Sequence, residues 1–132
     1  MGTKQAGCEP AALLADHPTD CGQRPFSAYV HIPFCAKRCG YCDFNTYVTD
    51  FGAGANRATF ADSIIAEIEL AATTAVTADI PALDTIFFGG GTPTELPTSH
   101  LARIVAHLRE RFSLQPNVEV SCEANPDSIT SA

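Results

Sequence analysis

Three short β-branched runs interleaved with two helical periods decide most of what this chain can fold into. "SAYVHI" (27–32) is aromatic and β-branched and reads as a strand. From about Arg57 to Ala72, Phe60, Ile64, Ile68 and Ala71 recur at spacings of four, four and three, one face of a helix. "DTIFF" (84–88) is a second strand and runs directly into Gly89-Gly90-Gly91. A second amphipathic helix spans about Thr98 to Phe112, with Leu101, Ile104, Val105, Leu108 and Phe112 on one side. "NVEVSC" (117–122) is the third strand. Strand, helix, strand, helix, strand predicts right-handed βαβ units on a parallel sheet, an α/β fold.

The strands are not apolar on both faces, as an ordinary buried parallel strand is. Ala28, Val30 and Ile32 alternate with Tyr29 and His31, and Val118, Val120 and Cys122 alternate with Glu119, Ser121 and Glu123. A polar inward face fits a sheet that curls around a ligand cavity, as in a barrel with its site at the strand C-terminal ends. The cysteine-rich loop, the glycine run and "EANP" each directly follow a strand. They are expected to converge on one rim.

The 132 residues suit one domain with a real core. Residues 1–25 lack sustained periodicity and read as a flexible lead-in, with Cys8 and Cys21 expected to be ordinary thiols. No apolar run reaches the length of a bilayer span and no secretory pattern opens the chain, so a cytoplasmic location is the expectation. A net charge of −7 argues against a broad electrostatic grip on nucleic acid. Lys37 and Arg38 nonetheless form a local basic patch inside the cysteine loop.

That loop, "PFCAKRCGYCDF" (33–44), carries Cys35, Cys39 and Cys42, one thiol short of the usual four-thiolate site. Structural zinc needs four closed ligands and would have to recruit His31 or Cys122. A loop disulfide strands one thiol and is disfavoured in the cytosol. A thioredoxin-like pair, Cys39 and Cys42, leaves Cys35 unexplained. A fourth, competing reading is an iron–sulfur cubane held by three thiolates with its fourth iron open. An open metal position is a catalytic arrangement. Lys37 and Arg38 favour thiolate over thiol there. Phe34, Tyr41, Phe44 and Tyr47 are candidates to wall such a cluster from water, although aromatics after a strand are more often simple packing.

Cys-x3-Cys-x2-Cys after a strand resembles the defining loop of radical S-adenosylmethionine (SAM) enzymes. The resemblance implies a [4Fe-4S] cluster on Cys35, Cys39 and Cys42, with the amine and carboxylate of S-adenosyl-L-methionine on the fourth iron. It also implies an electron donor that drives cleavage of the sulfonium to a 5′-deoxyadenosyl radical. "YVHIPFCAKRCGYCDF", "IFFGGGTPT" and "EVSCEANPD" together resemble the oxygen-independent coproporphyrinogen III oxidase family, across most of residues 26–132. That family's core is a partial (β/α)6 barrel, of which about three βα units are expected here, an incomplete radical SAM core domain over 26–132.

The resemblance carries over Gly90, Gly91 and Thr92 as contacts to the methionyl group, with Tyr29, Tyr41 and Glu123 as further cofactor contacts. The plain reading of Gly89–Pro93 is a strand-to-helix turn with a Thr92/Glu95 capping box and Pro93 at the first helical position, which Pro97 interrupts. For Glu123 it is a solvated charge, and for Tyr29 a buried strand tyrosine. His31 matches the family's "HIP" without an assigned role. Two residues after Cys42, where the oxidase branch has another cysteine, this chain has Phe44, which resembles the heme chaperone branch. Phe44 is expected at the loop's inner wall, shaping the cofactor pocket. The resemblance implies heme as cargo, heme-accepting proteins as partners and peripheral membrane association. Porphyrinogen oxidation is the alternative, and a radical enzyme acting on RNA is disfavoured by charge.

Overall fold

A computed structural model of the chain describes residues 25–48, 50, 56–75 and 80–129. Cys8, Cys21 and the expected lead-in, apart from Pro25, lie outside the described residues. Strands β1 (Phe26–Ile32), β2 (Leu83–Gly90) and β3 (Leu114–Cys122) form one parallel sheet in the order β1-β2-β3. Helix α1 (Phe60–Ala75) lies between β1 and β2 in sequence, and α2 (Thr98–Arg111) between β2 and β3. The expected order of elements is the order found.

The alternation in the strands sets the sheet's two faces. Val30, Ile32, Ile86 and Phe88 are buried and pack with Ile68 of α1 and Ile104 and Leu108 of α2 in one core. Tyr29 and Phe87 stay largely exposed on the opposite face, their rings stacked with centroids 5.9 Å apart. The generic expectation of a buried Tyr29 fails because the helices cover the other face only. Charged groups knit the helices at their outer rim, where Arg103 reaches Asp62 at 2.6 Å and Arg111 reaches Glu69 at 2.7 Å.

Element boundaries depart from the sequence reading in three places. The apolar face of α1 includes the expected Phe60, Ile64 and Ile68, but it is completed by buried Ala61 and Ala72, while Ala71 is exposed. β3 begins at Leu114, which pairs with Leu83, and its register then slips before Glu119 pairs with Thr85. Pro116 sits in the slipped stretch and has no N–H to give to a ladder. The Thr92/Glu95 capping box does not form: Pro93–Glu95 is a single 3₁₀ turn without a side-chain cap. Pro93 does take the first helical position, and α2 starts separately at Thr98, after Pro97.

Candidate functional site

The site grows out of the β1–β2 ladder. Beyond the end of β1 the pairing continues, since Gly91 N–H donates to the Ile32 carbonyl and Thr92 N–H to the Phe34 carbonyl, both at 2.7 Å. The chain after Cys35 then loops out and returns at Tyr47, which forms an isolated bridge with Phe34. Tyr47 N–H donates to the Pro33 carbonyl at 2.7 Å, and Cys35 N–H donates to the Tyr47 carbonyl at 2.9 Å. Residues 36–46 are thus a loop closed at its base, with Cys35 in the base itself.

The three thiols have different surroundings. Cys35 is buried, with Sγ 3.9 Å from the Thr92 hydroxyl. Cys42 is half-buried, its Sγ 3.6 Å from the hydroxyl of buried Thr46. Cys39 is exposed, and its carbonyl accepts from Cys42 N–H at 3.2 Å. The thiols share one loop without meeting at one point. Among the described residues no three His, Cys, Asp or Glu side chains stand in metal-holding geometry.

The glycine run fits tightly against this loop. A methyl group built on Gly91 falls 2.5 Å from the Phe34 carbonyl oxygen and 3.0 Å from Cys35 Sγ. Gly90 has φ of +109°, and a methyl there meets the His31 ring at 2.6 Å. The His31 ring is held by the Tyr29 hydroxyl on Nδ1 at 2.9 Å and by the Asn45 carbonyl near Nε2 at 3.1 Å. Glu123 closes the rim: its N–H donates to the Phe88 carbonyl at 2.9 Å, and its carboxylate accepts from Gly90 N–H at 3.2 Å.

Two adjacent cavities of about 460 and 620 Å³ open over this rim and share Tyr41, Thr92 and Asn125. Lys37, Arg38, Cys39, Glu95 and Asp127 line the first; Gly91 and Glu123 line the second. Each is large enough for a small organic cofactor. Tyr41 is 88% exposed at their shared mouth. Of the four candidate wall aromatics, Tyr41 lines both cavities. Phe34 is fully buried and packs edge-on against Phe60, while Phe44 is 64% exposed and lines neither cavity.

Gly90, Gly91, Thr92 and Glu123 are therefore brought together, with Cys35 against them and Tyr29 one position back along the sheet face. Cys39 and Tyr41 sit across the first cavity from Asn125 and Asp127. The sequence reading places "EANP" at the rim but gives neither Asn125 nor Asp127 a role of its own. The Asn125 side chain accepts from Asp127 N–H at 3.0 Å, the turn that Asn-Pro favours, so "NPD" was the available signal. Partial burial, then the Glu123 charge, pushes the Cys122 thiol above its ordinary value. The donor set suits an iron–sulfur group in its chemistry: soft thiols on a loop with a glycine cradle beside the most fixed of them.

Comparison with known proteins bears on this arrangement. The family model of the Radical SAM superfamily matches residues 29–131. The heme chaperone HemW of Mycobacterium tuberculosis (strain ATCC 25618 / H37Rv) is 45% identical over 105 residues, which cover 80% of this chain and 26% of the relative. The anaerobilin synthase of Escherichia coli O157:H7 is 41% identical over 95 residues, covering 72% of this chain and 20% of the relative. The solved structure of the coproporphyrinogen III oxidase HemN from Escherichia coli, described as a radical SAM enzyme, superposes with a TM-score of 0.67 at 34% identity. That match covers 81% of this chain and 24% of the solved one. The chain thus spans roughly a quarter of the length of the relatives it matches, and its three βα units correspond to the N-terminal part of the HemN fold.

Proposed function

We propose, from the premise that this chain belongs to the radical SAM superfamily, that it forms the cofactor-binding part of a heme chaperone. In this reading Cys35, Cys39 and Cys42 hold a [4Fe-4S] cluster, and Gly90, Gly91, Thr92 and Glu123 receive S-adenosyl-L-methionine, with Tyr29 and Tyr41 at the edges of its site. When bound, the two groups supply one-electron reductive chemistry at the cofactor's sulfonium. The observation that carries the cofactor reading is the meeting of Cys35 Sγ with Gly91 and Thr92. It joins the thiol loop to the glycine turn at one point.

The chain's own residues have definable tasks. The backbone at Gly91 gives close access beside the first thiol, which a side chain there obstructs. The Glu123 carboxylate, resting on Gly90 N–H, is an acceptor placed to exchange that partner for an N–H of the methionyl amine. Lys37 and Arg38 offset the negative charge that ligated thiolates bring.

The chaperone reading is supported by the 45% identity to a heme chaperone, against 36% to an oxygen-independent coproporphyrinogen III oxidase, and by the resemblance of Phe44 to the chaperone branch. Heme is the proposed cargo, with heme-accepting proteins, an electron donor and peripheral contact with a membrane as partners. Among the described residues no helix is long and apolar enough to cross a membrane. Coproporphyrinogen oxidation is the second reading, favoured by the fit to the HemN structure. The deciding experiment gives the full-length protein, reconstituted anaerobically, heme and coproporphyrinogen in parallel. Heme binding and transfer without porphyrinogen turnover is expected; turnover establishes the oxidase instead. Tightly bound zinc without sulfide overturns both.

A further inference from the structure

One cation beneath the thiol loop ties together three segments that are far apart in sequence. Arg57 lies in the turn that leads into α1, its side chain 25% exposed. Nη1 donates to the Asp50 carboxylate at 2.5 Å, and Nη2 donates to the Cys35 carbonyl at 3.1 Å. Nε lies 3.9 Å from the Glu95 carboxylate, and the guanidinium carbon sits 5.0 Å from the centre of the Phe34 ring. Asp50 follows the thiol loop, Phe34 and Cys35 form its base, and Glu95 ends the turn that starts at Thr92.

These contacts leave Cys35 with little freedom. Its N–H is taken by the Tyr47 carbonyl, its carbonyl by Arg57, and its side chain is 9% exposed. Glu95 N–H donates to the Thr92 carbonyl at 2.9 Å, so the acid facing Arg57 is tied to the residue whose hydroxyl faces Cys35 Sγ. We infer that Arg57 is a positioning residue for Cys35, fixing the first thiol of the loop against Gly91 and Thr92 without touching the cofactors itself. The consequence for cofactor chemistry rests on the proposed reading of Cys35 as a cluster ligand; the geometry does not. A lysine is no substitute, because a point charge on a flexible stem lacks the planar fork that serves a carboxylate, a carbonyl and a ring face at once.

The test uses the full-length protein in its metal-free form, kept anaerobic, and reads the rate at which iodoacetamide modifies each cysteine by peptide mass spectrometry. In the parent Cys35, the buried one, should be the slowest of the three loop thiols. Losing a hydrogen bond from a charged donor changes a local opening equilibrium by about tenfold, so Arg57→Lys and Arg57→Met should speed Cys35 by about that factor. Cys39, already exposed, should keep its parental rate. Glu95→Gln weakens the longest of the three polar contacts and leaves the bond to Cys35, so Cys35 should stay protected in that variant. Unchanged Cys35 rates in both Arg57 variants overturn the inference. So does equal acceleration of every cysteine in Arg57→Lys, since that marks general loosening and no local role. Iron and sulfide analysis of the reconstituted parent tests the cluster reading separately, so a failure of one is not mistaken for a failure of the other.

Discussion

At the scale of single residues, the glycines next to the thiols make opposite predictions. Gly91→Ala drives a methyl group to 2.5 Å from the Phe34 carbonyl oxygen, a backbone atom that cannot turn aside, whereas nothing lies within 4 Å of a methyl on Gly40. Gly91→Ala should therefore cost about 1–3 kcal/mol in the full-length chain, and Gly40→Ala should stay within about 0.5 kcal/mol of the parent. Urea unfolding of both variants checks this, and equal midpoints refute the cradle at Gly91. Glu123 is legible through its neighbour. Burial first, and the Glu123 charge second, hold the Cys122 thiol above its ordinary value. The unfolded chain then gives up that proton first, so the stability this group contributes is complete below the ordinary thiol value and is lost as pH rises through the folded one. Glu123→Gln removes the smaller cause, and Cys122 should ionise at lower pH, while the amide oxygen still accepts from Gly90. The pH profile of Cys122 alkylation measures the change, and identical profiles refute the charge's influence. Residue type and spacing mark out the cysteines and glycines in the sequence, and Glu123 stands out only through the family resemblance. None of these announces Arg57, because its partners lie 7, 22 and 38 positions away and share no local pattern.

At the scale of elements, hydrophobic period was a sound guide to which helices exist and a poorer one to which residues they bury. Leu101, Ile104, Val105 and Leu108 all turn inward on α2, because that helix is backed by the sheet and by α1. On α1 the period identifies Phe60, Ile64 and Ile68, which pack on the core, but Ala71 is exposed while Ala61 and Ala72 are buried. Small residues fit either environment, so their type does not say on which side of the helix they lie. Ile104→Ala should therefore cost about 2–4 kcal/mol through lost burial and a residual cavity, since Ile104 is fully buried. Ala71→Ser should change stability by less than about 0.5 kcal/mol. Denaturant unfolding of the full-length variants checks the pair; comparable losses at both positions contradict the packing described. The strand ends show the same division. The glycine run was read as a turn, yet Gly89 and Gly90 are still in β2, since pairing with His31 and Ile32 carries the ladder to the rim. Pairing is a property of two segments, and one segment's composition does not display it. Phe44, expected at the loop's inner wall, is 64% exposed and lines neither cavity, since where a loop residue ends up depends on how the whole loop folds and not on its distance from Cys42 alone.

At the scale of the molecule, the sheet has two free edges among the described residues, since β1 and β3 each have β2 as their only neighbour. They are not equally exposed to pairing. The edge of β1 runs beside Phe60, Ile64 and Ala71 of α1, which line a groove along it. The edge of β3 lacks that cover, and Pro116 protects only its first half, where a missing N–H spoils any added ladder. From Val118 to Cys122 the unpaired backbone is available, and Val120 is 44% exposed on it. The net charge of −7 resists association at low ionic strength and is screened as salt is added. This segment, expressed by itself, should therefore self-associate with rising concentration and more readily in higher salt, through β3 pairing with β3 of a second copy. Val120→Lys places a charge on that edge and should hold the segment monomeric under conditions where the parent does not. Sedimentation velocity over a concentration series at two salt levels distinguishes the cases. A parent that stays monomeric throughout, or a lysine variant that associates as strongly, would show that the β3 edge is not the surface at which this sheet seeks its next strand.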